Sequence, residues 1–512
     1  MQELHTPELA ALWLHQQVRG QLQTDSRKVA PGDGFIAWPG AAHDARAHVP
    51  AALAQGAVAC LVEREGVQQH GLQGDCIASY RGLKAASALI ASAYYGTPSR
   101  QLHVLAVTGT NGKTSTAWWL AQALSSPLLE LARPCAVIGT LGVGRPPAAD
   151  AADSELQAGL TATGLTTPDP VLLQASLRQF ADTGICACAL EASSIGIDEH
   201  RLDGTAIHTA IFTNLTQDHL DYHGSMEAYW RAKTRLFFWP GLKAAVINID
   251  DAKGPELLQM LDSRGLDIWS FSCERPARLQ ACNIEIDGDG LAFDVIEAGQ
   301  RHHLTTSLIG QYNVSNLMGV IAAMRTLDVP LAQCLRACTS LAPVPGRMQR
   351  VHAPGMPLVA VDYAHTPDAL DKALAALRPL ARQRSGRLWC VFGCGGNRDP
   401  GKRPLMGAAA SVADQVVVTS DNPRGEDPQG IIEQIMPALA GHSGVQRQAD
   451  RAQAIALAVA DADAADVILV AGKGHEDYQE VAGQRRPFSD LAQVRGALQR
   501  RAATARSTGA AA

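Results

Sequence analysis

No stretch of the 512 residues is apolar for long enough to span a bilayer, and the opening Met1-Gln2-Glu3-Leu4-His5 has neither the basic start nor the unbroken apolar core of a secretory signal. A cytoplasmic protein without membrane insertion is expected. Clustered Lys and Arg are also missing. At a formal net charge of -6 the chain lacks the basic block that phosphate-backbone binding requires, so no nucleic-acid partner is expected, while a local basic pocket for a small anion stays open. The 11 cysteines form no disulfide framework, and Cys186-Ala187-Cys188 lies in an apolar run that reads as a buried strand. Packing, rather than metal binding, is their expected role. There is no internal repeat.

What is present suits a large globular enzyme. With 46% hydrophobic residues, 512 positions exceed what one core usually supports, so two to three domains are expected. Two breaks stand out, at Tyr95-Gly96-Thr97-Pro98-Ser99 and at the stiff hinge Ala342-Pro343-Val344-Pro345-Gly346. They predict domains over residues 1–98, 99–342 and 343–500, followed by a small, alanine-rich tail over 501–512 that should fray. In the middle part, apolar runs at 104–107, 185–190, 210–212 and 245–247 alternate with helical patterns, which indicates a mostly parallel sheet. Runs at 388–392, 416–418 and 467–470 repeat the style, each ending in glycine or a polar turn at the carboxyl edge where such sheets bind ligands. The fold class is α/β.

Directly after the first central strand comes Thr108-Gly109-Thr110-Asn111-Gly112-Lys113-Thr114-Ser115, then a helical pattern through Trp118, Trp119 and Leu120. Two glycines let the backbone wrap phosphate oxygens, the helix start aims N–H groups at them, Lys113 adds charge, and Thr114 can ligate magnesium. The loop departs from a standard Walker A because Val107 stands where its first glycine should be. A glycine turn with an incidental lysine is the competing reading. Val246-Ile247-Asn248-Ile249-Asp250 looks like a Walker B strand, but a buried strand entering a polar turn explains it equally well.

Further motifs lie along the chain: Glu191-Ala192-Ser193-Ser194, Thr213-Asn214-Leu215, Asp218-His219-Leu220-Asp221-Tyr222-His223, Ala232-Lys233, Gly310-Gln311-Tyr312-Asn313-Val314-Ser315-Asn316, Pro345-Gly346-Arg347-Met348, Asp362-Tyr363-Ala364-His365-Thr366-Pro367 and Gly393-Cys394-Gly395-Gly396. With the Gly-Thr-Asn-Gly-Lys-Thr loop, this set resembles the Mur ligases, closest to their diaminopimelate-adding branch, over nearly the whole chain. The resemblance implies a small N-terminal substrate domain, a central P-loop ATPase-like domain and a C-terminal Rossmann-like domain.

On that resemblance, residues 108–114 and Asn313, Arg347 and Asp362 would bind ATP. Thr114 and Glu191 would hold one magnesium, and His219 with a carbamylated Lys233 a second. Lys113, Glu191, His219, Lys233 and Arg347 would carry catalysis. Read from the residues alone, Lys233 is a surface lysine, Asn313 a helix cap and Arg347 a solvated hinge residue. A carbamate requires the neutral amine, hence a depressed pKa. His219 and His223 could also suggest a zinc pair, the weaker idea because magnesium prefers oxygen; His223 reads as structural.

Ser26, Thr166, Thr167, Ser193, Glu199 and Arg201 match the family's contacts to the nucleotide-sugar peptide. The match loosens where Ala45, in Gly40-Ala41-Ala42-His43-Asp44-Ala45-Arg46, replaces a common glycine and where Glu199 replaces a frequent glutamine. Asp421-Asn422-Pro423-Arg424 resembles the run whose arginine reads the distal carboxylate of meso-diaminopimelate, a task suited to a bidentate donor. Arg398 would add a contact, and Gly472 with Glu476 would hold the ammonium end. The implied reaction joins meso-diaminopimelate to the D-Glu γ-carboxylate of UDP-MurNAc-L-Ala-D-Glu through an acyl phosphate, with ATP and Mg2+, in a monomeric enzyme. A lysine-adding Mur ligase, a folylpolyglutamate synthase-like ligase and a non-catalytic P-loop switch remain alternatives. No residue stands out in the sequence as the base for the attacking amine.

Overall fold

The computed structural model of the chain describes residues 1–40, 43–148, 159–287 and 290–509. Three sheets organise it. The first is fully parallel, in the order Gln2–Leu4, Ile77–Tyr80, Ala59–Glu63, Gly34–Ala37, Leu22–Gln23. Both of its faces are apolar because alternate side chains are: Ile36, Leu61 and Ala78 pack with the helices Pro7–Gln17 and Leu83–Tyr94, while Phe35, Cys60 and Val62 pack on the other side.

The second sheet has 11 strands. Its parallel centre runs Asp267–Ser272, Ala244–Asn248, Thr209–Phe212, His103–Thr108, Ala187–Glu191, Cys135–Gly139. Leu105 and Val107 enter one core, Val104 and Ala106 the other, so the strand that leads into the phosphate loop is buried on both faces. The helix Lys113–Leu124 is itself enclosed, with Trp118 and Trp119 each 1% exposed. A polar face was never needed there, since the helix lies between the sheet and the helix Tyr312–Arg325. One edge continues through Leu279–Asp287 into the antiparallel strands Gly290–Glu297 and Gln300–Thr306, an extension that periodicity did not announce because the pairing slips between Cys282 and Glu285.

The third sheet runs Gln349–Val351, Leu358–Asp362, Val467–Ala471, Leu388–Phe392, Gln415–Val418, Val445–Arg447, parallel except for its first strand. Helices cover both faces. The turns after strands 358–362 and 388–392 reach the second sheet's domain, through Asp368 to Asn111 and through Arg398 and Asp399 to Asp221 and Gln217.

A helix spans Asp490–Gly509, across the start of the tail expected from residue 501, and residues 510–512 lie outside the described part. Val494, Ala497 and Leu498, spaced for one helical face, are buried in the C-terminal core, and the Arg501 guanidinium donates to the carbonyls of Val459 and Ala462. At the helix start Asp490 accepts from the fully buried Arg451 at 2.7 Å. Among the described residues no helix is long and apolar enough to cross a membrane.

Candidate active site

The loop between strand His103–Thr108 and helix Lys113–Leu124 depends on its two glycines. Gly109 sits at φ +152°, and a Cβ there would lie 1.8 Å from Thr213 Oγ1; Gly112, at φ +84°, would put one 2.3 Å from Asn316 Oδ1. The loop is therefore clamped from outside. Thr213 Oγ1 donates to Asn111 O at 2.7 Å, and Asn214 Oδ1 accepts from Asn111 N at 2.9 Å. The Lys113 ammonium donates to Gly109 O and Thr110 O, at 2.9 and 2.7 Å. Thr108 Oγ1 is buried with no hydrogen-bond partner among the described residues, leaving a polar atom unanswered in the cradle. Thr110 Oγ1 is occupied by Thr216 O and the Tyr229 hydroxyl.

Glu191 is the last residue of its strand, aligned with Val107 on the neighbouring strand. It is 1% exposed and accepts from Thr114 Oγ1 at 3.0 Å, from Thr140 N at 2.8 Å and from Thr140 Oγ1 at 3.1 Å. Thr140 was absent from the sequence expectations, because a threonine after a short strand carries no signal of its own. Packing leaves no alternative: a Cβ at Gly139 would lie 2.2 Å from Glu191 Oε1. By contrast Asp250, the apparent Walker B acid, accepts from Ser272 and Cys273 N and braces a turn.

Lys233 is no surface residue. It is 1% exposed, its Nζ donates to Gly109 O at 2.7 Å and lies 4.3 Å from the centre of the Tyr229 ring. Burial, and then the nearby Lys113 charge, hold its pKa well below the ordinary value, partly countered by Asp218. His219 shares the Tyr229 ring at 6.0 Å and is pushed down to about 4, first by desolvation. His223 bonds Ser194 Oγ at 3.0 Å, the structural role expected of it. Among the described residues no group of three or more His, Cys, Asp or Glu gathers as a metal site. The oxygen pair Thr114–Glu191 nevertheless suits a hard cation.

Five contacts bring the third sheet's domain over this loop. Arg347 NH2 donates to Thr114 Oγ1 at 3.2 Å while its guanidinium stacks 4.3 Å from the Tyr363 ring, so it is not a solvated hinge residue. Asn111 Nδ2 donates to Asp368 at 3.0 Å, Lys402 pairs with Asp218 at 2.9 Å, Arg398 with Asp221 at 3.3 Å, and Gln217 Nε2 reaches Asp399 at 3.5 Å. Gln217, Leu220, Asp221 and Asn397–Pro400 line a crevice of about 490 Å³ between the domains. Asp362 is buried, and its oxygens accept from Met348 N and Ala364 N at 2.7 and 2.8 Å, which braces the hinge. Asn313 caps nothing. It lies inside its helix, donating to Ile309 O at 2.7 Å and accepting from Asn316 at 3.0 Å.

On the other side of Glu191, Thr166 Oγ1 meets Thr140 Oγ1 at 3.1 Å, and Thr167 Oγ1 contacts Glu191 O at 2.7 Å and Ser193 Oγ at 3.0 Å. Arg201 donates to Thr167 O at 2.9 Å. Four of the expected substrate contacts thus form one network with the acid. Ser26 stands apart, in a turn capped by Asp25, whose neighbours line a cavity of about 600 Å³ with Asp169 and the helix Pro170–Asp182. Ala41 and Ala42 fall outside the described residues. The substitution at Glu199 has a structural answer. Lys84 pairs with it at 2.5 Å and Tyr222 donates to it at 3.0 Å; these contacts outweigh desolvation and keep its pKa low.

In the third sheet Asp421 and Asn422 are buried, and Asn422 donates to Glu476 Oε2 at 2.8 Å. Lys473, which the sequence did not single out, is fully buried and donates to Glu476 at 2.7 Å and Asn422 at 3.0 Å. Gly472, at φ +120°, would carry its Cβ 2.4 Å from Asp421 Oδ2. Pro423 precedes Arg424, whose φ is +53° and whose NH1 donates to Gly396 O at 2.8 Å. Among the described residues Arg424 has no carboxylate within ion-pair distance.

Residues 107–324 match the Mur ligase middle domain and residues 346–474 the Mur ligase glutamate ligase domain. The UDP-N-acetylmuramoyl-L-alanyl-D-glutamate–2,6-diaminopimelate ligase of Acidovorax sp. (strain JS42) is 62% identical over 98% of this chain and 99% of its own length. A solved ligase of the same description shares 36% identity, with a TM-score of 0.62 over 94% of each chain. A MurF ligase of Thermotoga maritima, solved in complex with ADP, superposes at a TM-score of 0.64 over 96% of this chain; at 18% identity that likeness shows the fold alone.

Proposed function

The chain belongs to the Mur ligase family, and on that premise we propose that it adds meso-diaminopimelate to the D-Glu γ-carboxylate of UDP-MurNAc-L-Ala-D-Glu, in cytoplasmic peptidoglycan precursor synthesis. It is an ATP-dependent, amide-forming ligase. The observation that carries the substrate assignment is Arg424: a half-buried guanidinium beside the Gly395–Gly396 turn that meets a carbonyl and, among the described residues, no acid. A distal carboxylate of the incoming amino acid would answer that charge bidentately, and lysine has none to offer. The lysine-adding, folylpolyglutamate and non-catalytic readings all leave Arg424 without a task.

In the proposed mechanism residues 108–114 wrap the ATP phosphates, Lys113 turns from the loop carbonyls to them, and Asn313 and Asp362 border the nucleotide. Thr114 and Glu191 would hold magnesium, with His219 and a carbamylated Lys233 at a second site; the ions would neutralise charge on the transferring phosphoryl group. Thr166, Thr167, Ser193 and Arg201 position the peptide end whose carboxylate is phosphorylated, with Ser26 and Glu199 toward the nucleotide sugar. Arg347 meets the transferring charge from the opposite wall. Asp421, Gly472 and Glu476 orient the ammonium end of diaminopimelate, and Arg398 and Arg424 its far carboxylate. The amine attacks the acyl carbon, the C–O bond to phosphate breaks, and the closed cleft excludes water. The test is a substrate panel: ADP release should require both UDP-MurNAc-L-Ala-D-Glu and meso-diaminopimelate, and equal turnover with L-lysine would overturn the assignment.

A further inference from the structure

An amine arrives at the acyl phosphate as an ammonium and cannot attack until it loses a proton, yet the carboxylates and imidazoles around the cleft are mostly unfit to take one. Asp218 is paired with Lys402 at 2.9 Å, and facing His365, His219 and Lys402 hold its pKa far down despite its burial. Glu476 is bound by the buried Lys473 at 2.7 Å. His475 is pushed down to about 3, chiefly by desolvation and then by Arg347, and so is a feeble base. His219 stands beside the expected metal site.

His365 differs in geometry. Its Nδ1 lies 2.7 Å from Tyr363 O. A carbonyl only accepts, so Nδ1 carries the hydrogen and the Nε2 lone pair is left free. Nε2 makes no hydrogen bond among the described residues, and the side chain is exposed to the cleft. The ring lies 4.6 Å from Tyr363, whose other neighbours are Arg347, at 4.3 Å, and His475, at 5.1 Å. Arg347 touches Thr114 on the phosphate side, and His475 belongs to the 472–476 turn on the amino-acid side. His365 thus shares the Tyr363 ring with a residue from each side, and it is close enough to Arg347 and to His475 to interact with both electrostatically.

Resting on the proposed function, we infer that His365 is the general base of the ligation, its Nε2 accepting the proton that the incoming amine sheds before attack. The nitrogen lone pair then forms the bond to the acyl carbon, the C–O bond to phosphate breaks with its electron pair going to phosphate, and the second amine proton leaves with the phosphate. The charged and titratable groups facing the ring are Asp218 and His219 from one wall, Lys402 from another, His475 from the 472–476 turn, and Arg347 and Tyr363 from its own side. Although one edge of the residue is open to solvent, protein surrounds the ring, and that desolvation, aided by Lys402 and Arg347, lowers its pKa; Asp218 opposes this and would stabilise the imidazolium once formed.

His365→Asn retains a donor toward Tyr363 O but removes the basic nitrogen. Two nucleophiles separate its effects: diaminopimelate, which needs deprotonation, and hydroxylamine, which is already neutral at working pH and traps the acyl phosphate as a hydroxamate. Diaminopimelate ligation should fall by about 10²–10⁴-fold and lose the acid limb of its kcat/KM profile, while hydroxamate formation stays within about threefold. Equal loss with both nucleophiles, or retained ligation with an unchanged acid limb, would overturn the assignment; the ratio within one variant also controls for misfolding. Should the unaltered protein show no turnover dependent on diaminopimelate, the parent reading fails instead, whatever the variant does.

Discussion

Arg347 and Thr114, separated by 233 residues, meet at 3.2 Å across the cleft, so the hinge arginine of one domain touches a phosphate-loop hydroxyl of another. The contact joins the third sheet's domain to the phosphate loop. Arg347→Ala should lower kcat by about 10²–10³-fold with a smaller effect on KM for ATP, as for other groups that meet charge mainly in the transition state. Arg347→Lys should recover little, because an ammonium cannot stack on Tyr363 as a planar guanidinium does. Steady-state kinetics of both variants check this.

Gly109→Ala tests the loop by steric means. The new methyl would meet Thr213 Oγ1 at 1.8 Å, at a φ that side chains rarely adopt. A loss of about 1–3 kcal/mol in stability is expected, with ATP binding abolished. Thermal unfolding and calorimetry read the two effects, and the double variant with Thr213→Ala should restore stability only in part because the backbone strain stays.

At Lys233 the expected signature is chemical. The buried, neutral-leaning amine is suited to carbon dioxide, so the intact enzyme should gain the mass of a carbamate at this residue. Lys233→Ala should be inactive and recover on addition of small carboxylates. Full activity without them would dismiss the carbamate.

Arg424→Ala should weaken use of meso-diaminopimelate by about 2–5 kcal/mol, the range for truncating one side of a desolvated charge pair. Binding of ATP should be unaltered, since the contact Arg424 makes is to Gly396 O and not to the phosphate loop. Titration with each ligand separates the two.

His475 makes a pH prediction. Its folded pKa, about 3, lies below the unfolded value of about 6.5. The unfolded chain therefore binds the proton first as pH falls. Its contribution to stability is complete above pH 6.5 and declines from there toward pH 3, by up to about 1.4 kcal/mol per pH unit. His475→Gln should flatten that acid slope in urea unfolding measured from pH 7.5 to 5; an unchanged slope would refute it.

The phosphate loop, the parallel strands of the two larger sheets and the turns at their carboxyl ends were legible from residue order. Such features are local: a glycine at positive φ, a run of aliphatic residues, a proline-bounded hinge each impose a conformation on their own few positions. Glu191 was legible too, but only as an acid at a strand end; that Thr140 and Thr114 hold both of its oxygens depends on which strands lie side by side. The helix Asp490–Gly509 escaped sequence reading because its stability comes from packing on a core assembled far upstream, not from its composition.

Residue order by itself determined where phosphate could be wrapped and which side chains could carry charge. Tertiary structure decided which of those charges survive as such. Lys233 loses water and becomes a candidate neutral amine, Glu199 keeps its charge because Lys84 arrives from the first domain, Glu476 is spoken for by Lys473, and Arg424 meets no acid among the described residues. Protonation and charge balance depend on distance and desolvation, and both are properties of chain segments brought together by folding rather than of their order along the chain.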